Sequence, residues 1–133
     1  MSNTTTMPAM KLELVPVPVA DVDRAKDFYV NKVGFHTDHD VQPNDTMRVV
    51  QLTPPGSACS IVIGTGMGEI SAMQPGSVKG IHLVVADVNA VRETLLSRGV
   101  EVSEISDQGG IKYAFFNDPD GNSWALQEIM GRM

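Results

Sequence analysis

A tetrapeptide that returns half a chain later constrains this sequence more than any other feature. Val19-Ala20-Asp21-Val22 recurs as Val85-Ala86-Asp87-Val88, an offset of 66 residues from 19 to 85. Thr53-Pro54-Pro55-Gly56-Ser57 is echoed by Asp118-Pro119-Asp120-Gly121-Asn122, an offset of 65 residues from 53 to 118. Two echoes in the same order, one residue apart in offset, describe one unit used twice with a single deletion between the copies.

Each unit reads as β-α-β-β-β. Residues 12–19 mix apolar side chains with Glu13, Pro16 and Pro18, which suits a strand near an edge or bulge. Asp21 is a good helix N-cap; Val22, Ala25, Phe28, Tyr29 and Val33 then fall at helical spacing, and Gly34 is a stop. Short strands are expected near 35–40, 47–52 and 59–63. The second unit predicts a strand over 81–85, a helix capped by Asp87 and ended by Gly99, and strands near 100–105, 112–116 and 123–128. This is an α+β plan of two tandem βαβββ modules. The predicted organisation is a polar leader over 1–10 and one domain over 11–129. Within it lie module one (11–63), a glycine-rich connector (64–78), read as a linker or flap, and module two (79–129).

Composition narrows the class. The chain has 133 residues and a formal net charge of −6, which argues against a nucleic-acid partner. Its longest apolar run, Leu83-Val84-Val85-Ala86, is far short of a membrane span. The first eight residues have neither the basic nor the apolar region of a signal peptide, and the single cysteine, Cys59, excludes an internal disulfide. The expectation is a cytoplasmic protein with no membrane or nucleic-acid partner. A βαβββ unit packs its helix on one sheet face and leaves the other bare, so two curved sheets are expected to enclose a cavity.

The stretch from Val17 to Tyr29, followed by Val33-Gly34-Phe35, resembles the opening module of the vicinal oxygen chelate superfamily. That superfamily includes glyoxalase I, extradiol dioxygenases and bleomycin-resistance proteins. Phe116-Asn117-Asp118-Pro119-Asp120-Gly121-Asn122-Ser123-Trp124-Ala125-Leu126 resembles its closing module. The resemblance implies a divalent metal held by His, Gln or Glu on the first and last strands of each module. Carried over through the echo, those positions are Leu14, Ser60, Gly80 and Ala125, none of them a good ligand. No metal and no other cofactor is therefore expected. A displaced metal site from His82, His36 and a carboxylate is the alternative.

Strand alternation puts His82 and Gln127 on the cavity side, and Gln51 with them if Val50 and Leu52 pack on the helix. Arg48 is read as a cavity-mouth cation for an anionic ligand or a surface ion pair. Phe116 is counted with His82, Gln51, Gln127 and Arg48 as a ligand contact. His36 and His39, beside Asp38 and Asp40, read as a solvated strand edge, Cys59 as a packed small hydrophobe, and Trp124 as packing outside the cavity. Asp118-Pro119-Asp120-Gly121-Asn122 reads as a tight turn rather than a calcium loop.

The resulting expectation is a homodimeric small-molecule binder of the glyoxalase/bleomycin-resistance type that sequesters a drug or metabolite. The alternative is an enzyme of the same superfamily, a lyase, isomerase or dioxygenase. It would act without metal, with His82 as general base, or through a displaced metal site.

Overall fold

The computed structural model describes residues 6–132. Residues 1–5 of the expected leader lie outside the described residues. The repeat becomes two four-stranded mixed sheets. Module one supplies β1 (Leu14–Pro16), β2 (His36–Asn44), β3 (Met47–Thr53) and β4 (Ser60–Thr65); module two supplies β5 (Ile81–Val84), β6 (Ser106–Gln108), β7 (Ile111–Asn117) and β8 (Ser123–Glu128). The strand orders are β1-β4-β3-β2 and β5-β8-β7-β6. In each sheet the first strand runs parallel to the last and the others pair antiparallel.

Both echoes do the same local work in each half. Asp21 accepts from the backbone N–H of Arg24 at 3.0 Å and starts α1 (Val22–Asp27); Asp87 accepts from that of Ala90 at 3.1 Å and starts α2 (Val88–Ser97). The first helix runs on with wider turns from Phe28 to Val33 and ends on Gly34, whose φ of 94° favours glycine. The proline-glycine echoes both close turns, at bonds one residue out of step with the echo: Ser57 N–H onto Pro54 and Gly121 N–H onto Asp118. Asp118 also accepts from the N–H groups of Asp120 and Asn122, so this segment is the expected turn.

Two strand expectations need correction. Residues 100–105 form no ladder: Val100 is buried under α2, and Ser103 alone ties the segment to Phe115 through its N–H and hydroxyl. Strand β6 starts only at Ser106. Strand β1 is shorter than expected because Pro16 and Pro18 lack donors, and the Pro18 carbonyl serves Gly76 and Asn122 instead of a neighbouring strand. The connector holds one turn of 3-10 helix, Gly68–Ile70, and borders the end of β1 around a small void of about 70 Å³.

The helix-facing sides of both sheets meet in one core. Val50, Leu52, Ile61 and Ile63 come from the first sheet, Ala114, Phe116, Trp124 and Leu126 from the second, and Ala25, Phe28 and Tyr29 from α1 and its continuation. Full burial of a large apolar side chain contributes roughly 1.5–3 kcal/mol. Aromatic edges and faces bridge the modules: Tyr29 meets Trp124 at 5.6 Å and Phe28 meets Phe116 at 6.3 Å between ring centroids. The sheets therefore do not close around a cavity within one chain, contrary to expectation, because their inner faces are already used by this common core. Their other faces lie outside it.

Candidate functional site

The outer face of the second sheet carries His82, Tyr113, Phe115, Ala125 and Gln127. Register fixes this set: His82 stands beside Ala125, Ala125 beside Phe115, and Gln127 beside Tyr113. The aromatic rings form one surface. Tyr113 and Phe115 lie nearly parallel at 6.1 Å, and His82 meets Tyr113 edge-on at 6.2 Å. Phe115 is 47% exposed, a large apolar side chain left facing outward.

His82 is held in a defined tautomer. Gly80, at a φ of 75°, places its carbonyl oxygen 2.7 Å from His82 Nδ1. A carbonyl only accepts, so neutral His82 carries its proton on Nδ1 and its lone pair on Nε2. Gln127 Nε2 donates to the Tyr113 hydroxyl at 3.1 Å, which leaves the amide oxygen free.

The outer face of the first sheet is polar. Gln51 donates to Glu13 Oε2 at 3.0 Å and to Ser60 Oγ at 3.2 Å. Ser60 is 2.6 Å from the Thr53 hydroxyl, which in turn donates to Asp38. Asp38 reaches this row because β2 carries an extra residue there: Thr37 faces Leu52 and His39 faces Gln51, with Asp38 bulged between. His36 and His39 lie on this exposed edge strand, as expected, with His36 Nε2 3.8 Å from Asp38.

Two expected ligand contacts lie elsewhere. Phe116 is buried on the helix side, stacked on Trp124 at 6.1 Å, and its neighbour Phe115 takes the outward position. Arg48 shares the helix side with Val50 and Leu52. Its guanidinium donates to Asp23 at 2.7 Å and to both oxygens of Asp40 at 3.1 and 3.0 Å, the ion pair of its second reading. Lys26 adds a 2.7 Å bond to Asp40. These donors hold the Asp40 carboxyl well below the usual carboxylate range, and the two carboxylates raise Arg48. Trp124 packs away from the outer face as expected, buried in the common core. Cys59 is half-buried, its Sγ 3.6 Å from the Ser60 carbonyl.

The family's four ligand positions also need one correction. In module one Leu14 stands beside Ser60, but in module two the residue beside Ala125 is His82, not Gly80. Strand β1 leaves its ladder at Pro16, five residues before its cap, whereas β5 stays paired to Val84, three before its own. The first strand is thereby slid by two residues, which keeps its facing and changes its neighbour. The structural set is Leu14, Ser60, His82 and Ala125. One imidazole among an alkyl chain, a hydroxyl and a methyl does not fit a divalent ion. His36 and His82 stand on different sheets, and among the described residues no three His, Cys, Asp or Glu side chains converge to form the displaced site.

Of two concavities in the chain, one borders the outer face at Phe115 and the other opens on the core side. A cleft of about 590 Å³ runs along Phe115 between Lys32 and Glu101, and an apolar pocket of about 290 Å³ separates Phe35 and Pro54 from Leu83 and Leu95. Neither is lined by His82, Gln51, Tyr113 or Gln127.

Comparison with known proteins agrees with this architecture. The family model for the glyoxalase/bleomycin resistance protein/dioxygenase superfamily matches residues 11–126, and the chain belongs to that superfamily. Among solved structures it is similar to TnmS3, an antibiotic binding protein from Streptomyces sp. CB03234. Identity is 37%, the match covers 93% of this chain and 99% of that one, and the TM-score is 0.82. A glyoxalase/bleomycin resistance protein from the same Streptomyces strain is 39% identical over 87% of this chain and 98% of its own, with a TM-score of 0.75. A superfamily member from Sphaerobacter thermophilus DSM 20745 is 32% identical over 90% and 98%, with a TM-score of 0.79. No functionally curated protein matches the sequence at a significant level.

Proposed function

We propose that this protein binds a small organic molecule and sequesters it unchanged, working in the cytoplasm as a homodimer. The observation that carries this reading is the outward ring surface of His82, Tyr113 and Phe115, in which His82 and its neighbour Ala125 occupy two of the family's metal-ligand positions. Rings exposed on one face suit a flat apolar ligand. The likeness to an antibiotic binding protein supports the same reading. In the proposed homodimer a second copy would set the polar first sheet of one chain against the aromatic second sheet of its partner and complete a pocket.

A second reading is favoured by one observation. The Gly80 carbonyl leaves Nε2 of His82 with its lone pair, as a general base needs, so a metal-independent lyase or isomerase is the alternative.

One experiment separates them. A panel of polycyclic antibiotics and quinones is titrated against the protein by fluorescence, and each bound compound is recovered for mass spectrometry. A binder returns the compound unaltered, and His82→Ala weakens affinity several-fold. A recovered compound of changed structure, formed orders of magnitude more slowly by His82→Ala, would sink the sequestration reading in favour of the enzyme.

A further inference from the structure

The two modules meet along a groove that their common core leaves unfilled. Phe35 and the Pro54-Pro55 turn of module one face β5 and α2 of module two across the apolar pocket of about 290 Å³. Leu95 and Leu126 are buried at its floor, and Val33, Leu83 and Val91 are half-buried around it. A second lobe of about 410 Å³ shares Val33, Pro55, Val91 and Leu95 with the first and runs on past Gly34 to Thr94 and Arg98. The shared walls make one continuous groove within a single chain. Apolar hollows of this kind hold water poorly and take apolar guests.

The outer end of the groove is different. Arg98 is the single ionisable side chain among the described residues that line the two lobes. Its Nη1 donates to the Lys32 carbonyl at 3.1 Å, and a Cβ on Gly34 would stand 3.8 Å from the same atom, so the guanidinium is held across the end of the first helix. That bond leaves most of its N–H groups free. Arg24, Arg48 and Arg92 each meet a carboxylate within 4 Å, whereas Arg98 meets none among the described residues. In a chain with 16 acidic and 10 basic residues, an arginine beside an apolar groove has been left without a counter-ion. Thr94, the other polar side chain there, spends its hydroxyl proton on the Ala90 carbonyl.

We infer that this groove is a second binding site, separate from the ring surface, for a small carboxylate with an apolar body. The hydrocarbon lies between Pro54, Leu83 and Leu95, and the carboxylate pairs with Arg98. A guanidinium takes a carboxylate through two parallel N–H···O bonds, which are charge-assisted and stronger than neutral ones. A neutral amphiphile forgoes that gain, and an amine sets like charge against Arg98. The inner lobe lies near the lower end of ligand-site volumes, roughly 300–1,000 Å³, which suits a chain of about ten carbons rather than a polycyclic body. The site needs no second copy of the chain and stands apart from the sequestration reading above.

Decanoate, decanol and decylammonium share one chain and differ in head group. Each is titrated by calorimetry below its aggregation concentration, at neutral pH and physiological salt. Decanoate is expected to bind about tenfold tighter than decanol, with decylammonium weakest. Arg98→Gln should erase the preference and Arg98→Lys keep part of it. Lys11→Gln, which removes an exposed positive charge elsewhere, should keep it whole. In the parent, decanoate should shift the amide NMR signals of Gly34, Val91 and Leu95 and spare those of Tyr113 and Phe115. Equal affinity for the three compounds overturns the carboxylate, as does a preference that survives Arg98→Gln. Shifts at Tyr113 and Phe115 instead overturn the groove and leave the sequestration reading standing. Failure of all three to bind also overturns the groove, while the antibiotic and quinone panel still decides the ring surface.

Discussion

Tyr29 donates its hydroxyl hydrogen to Asp118 at 2.7 Å and accepts one from the indole N–H of Trp124 at 3.0 Å. All three groups are buried, and Asp118 in turn is held by the Asn122 side chain at 2.7 Å. A residue of the first helix thus fastens the closing turn of the second module, and the two modules share one core because of it. Tyr29→Phe keeps the ring but leaves the Trp124 N–H with no acceptor and takes one donor from Asp118. The expected cost is about 2–4 kcal/mol, read from urea denaturation of the variant and the parent.

The same bond gives the protein an alkaline limit. Burial, and then the negative charge of Asp118, raise the Tyr29 hydroxyl far above its ordinary value. A group raised on folding contributes stability that is complete below its unfolded value of about 10 and is lost as pH rises beyond it. Stability is therefore expected to fall from about pH 10 upward, and Tyr29→Phe to flatten that slope. Denaturation midpoints across the alkaline range decide it.

Asp40 sets an acid limit of opposite sign. Its carboxyl is lowered by hydrogen bonds from Arg48 and Lys26, so its contribution is present above the ordinary carboxylate range and lost as pH falls through and below it. The pair is about a quarter exposed on each side chain, so solvent screening trims the effect to roughly 1 kcal/mol. Asp40→Asn should lower stability near neutrality and bring its acid unfolding curve together with that of the parent at low pH.

Phe115 and Phe116 make opposite predictions from adjacent positions. Phe116→Ala empties the stack against Trp124 and should cost about 3–5 kcal/mol of stability. Phe115→Ala removes a side chain 47% exposed and should leave the melting temperature nearly unchanged while weakening binding of a flat aromatic ligand. Thermal melts and a ligand titration on both variants check the pair; a large loss of stability from Phe115→Ala would place that ring in the core instead.

Metal titration gives a fifth check. With Leu14, Ser60, His82 and Ala125 at the family's ligand positions, nickel, zinc, manganese and iron should not raise the melting temperature. A bound ion at a hundredfold excess over its Kd would add about 2.7 kcal/mol, an effect readily seen. Stoichiometric metal by elemental analysis with a raised melting temperature would overturn the account of those four positions.

Much of this was legible in the chain. The two aspartate caps, the two proline-glycine turns and the βαβββ order are local chemistry repeated at a fixed offset, and local chemistry needs no partner to act. Alternation also placed Gln51, His82 and Gln127 on one side of their strands. It held the answer for Arg48 too, which shares its parity with Val50 and Leu52. The ring surface of Tyr113 and Phe115 was harder, because β7 alternates tyrosine and phenylalanine with alanine and phenylalanine and either face reads as apolar.

The sequence by itself determined the repeat, its caps and turns, and which side chains travel together along each strand, because these depend on neighbours a few residues away. Only the tertiary structure decided that His82 rather than Gly80 stands beside Ala125. Only it decided that Phe116 faces inward, and that Tyr29 reaches Asp118 across 89 residues. Those outcomes depend on how strands slide and pack against one another. A shift of two residues leaves every alternation intact, so no pattern along a single strand records it.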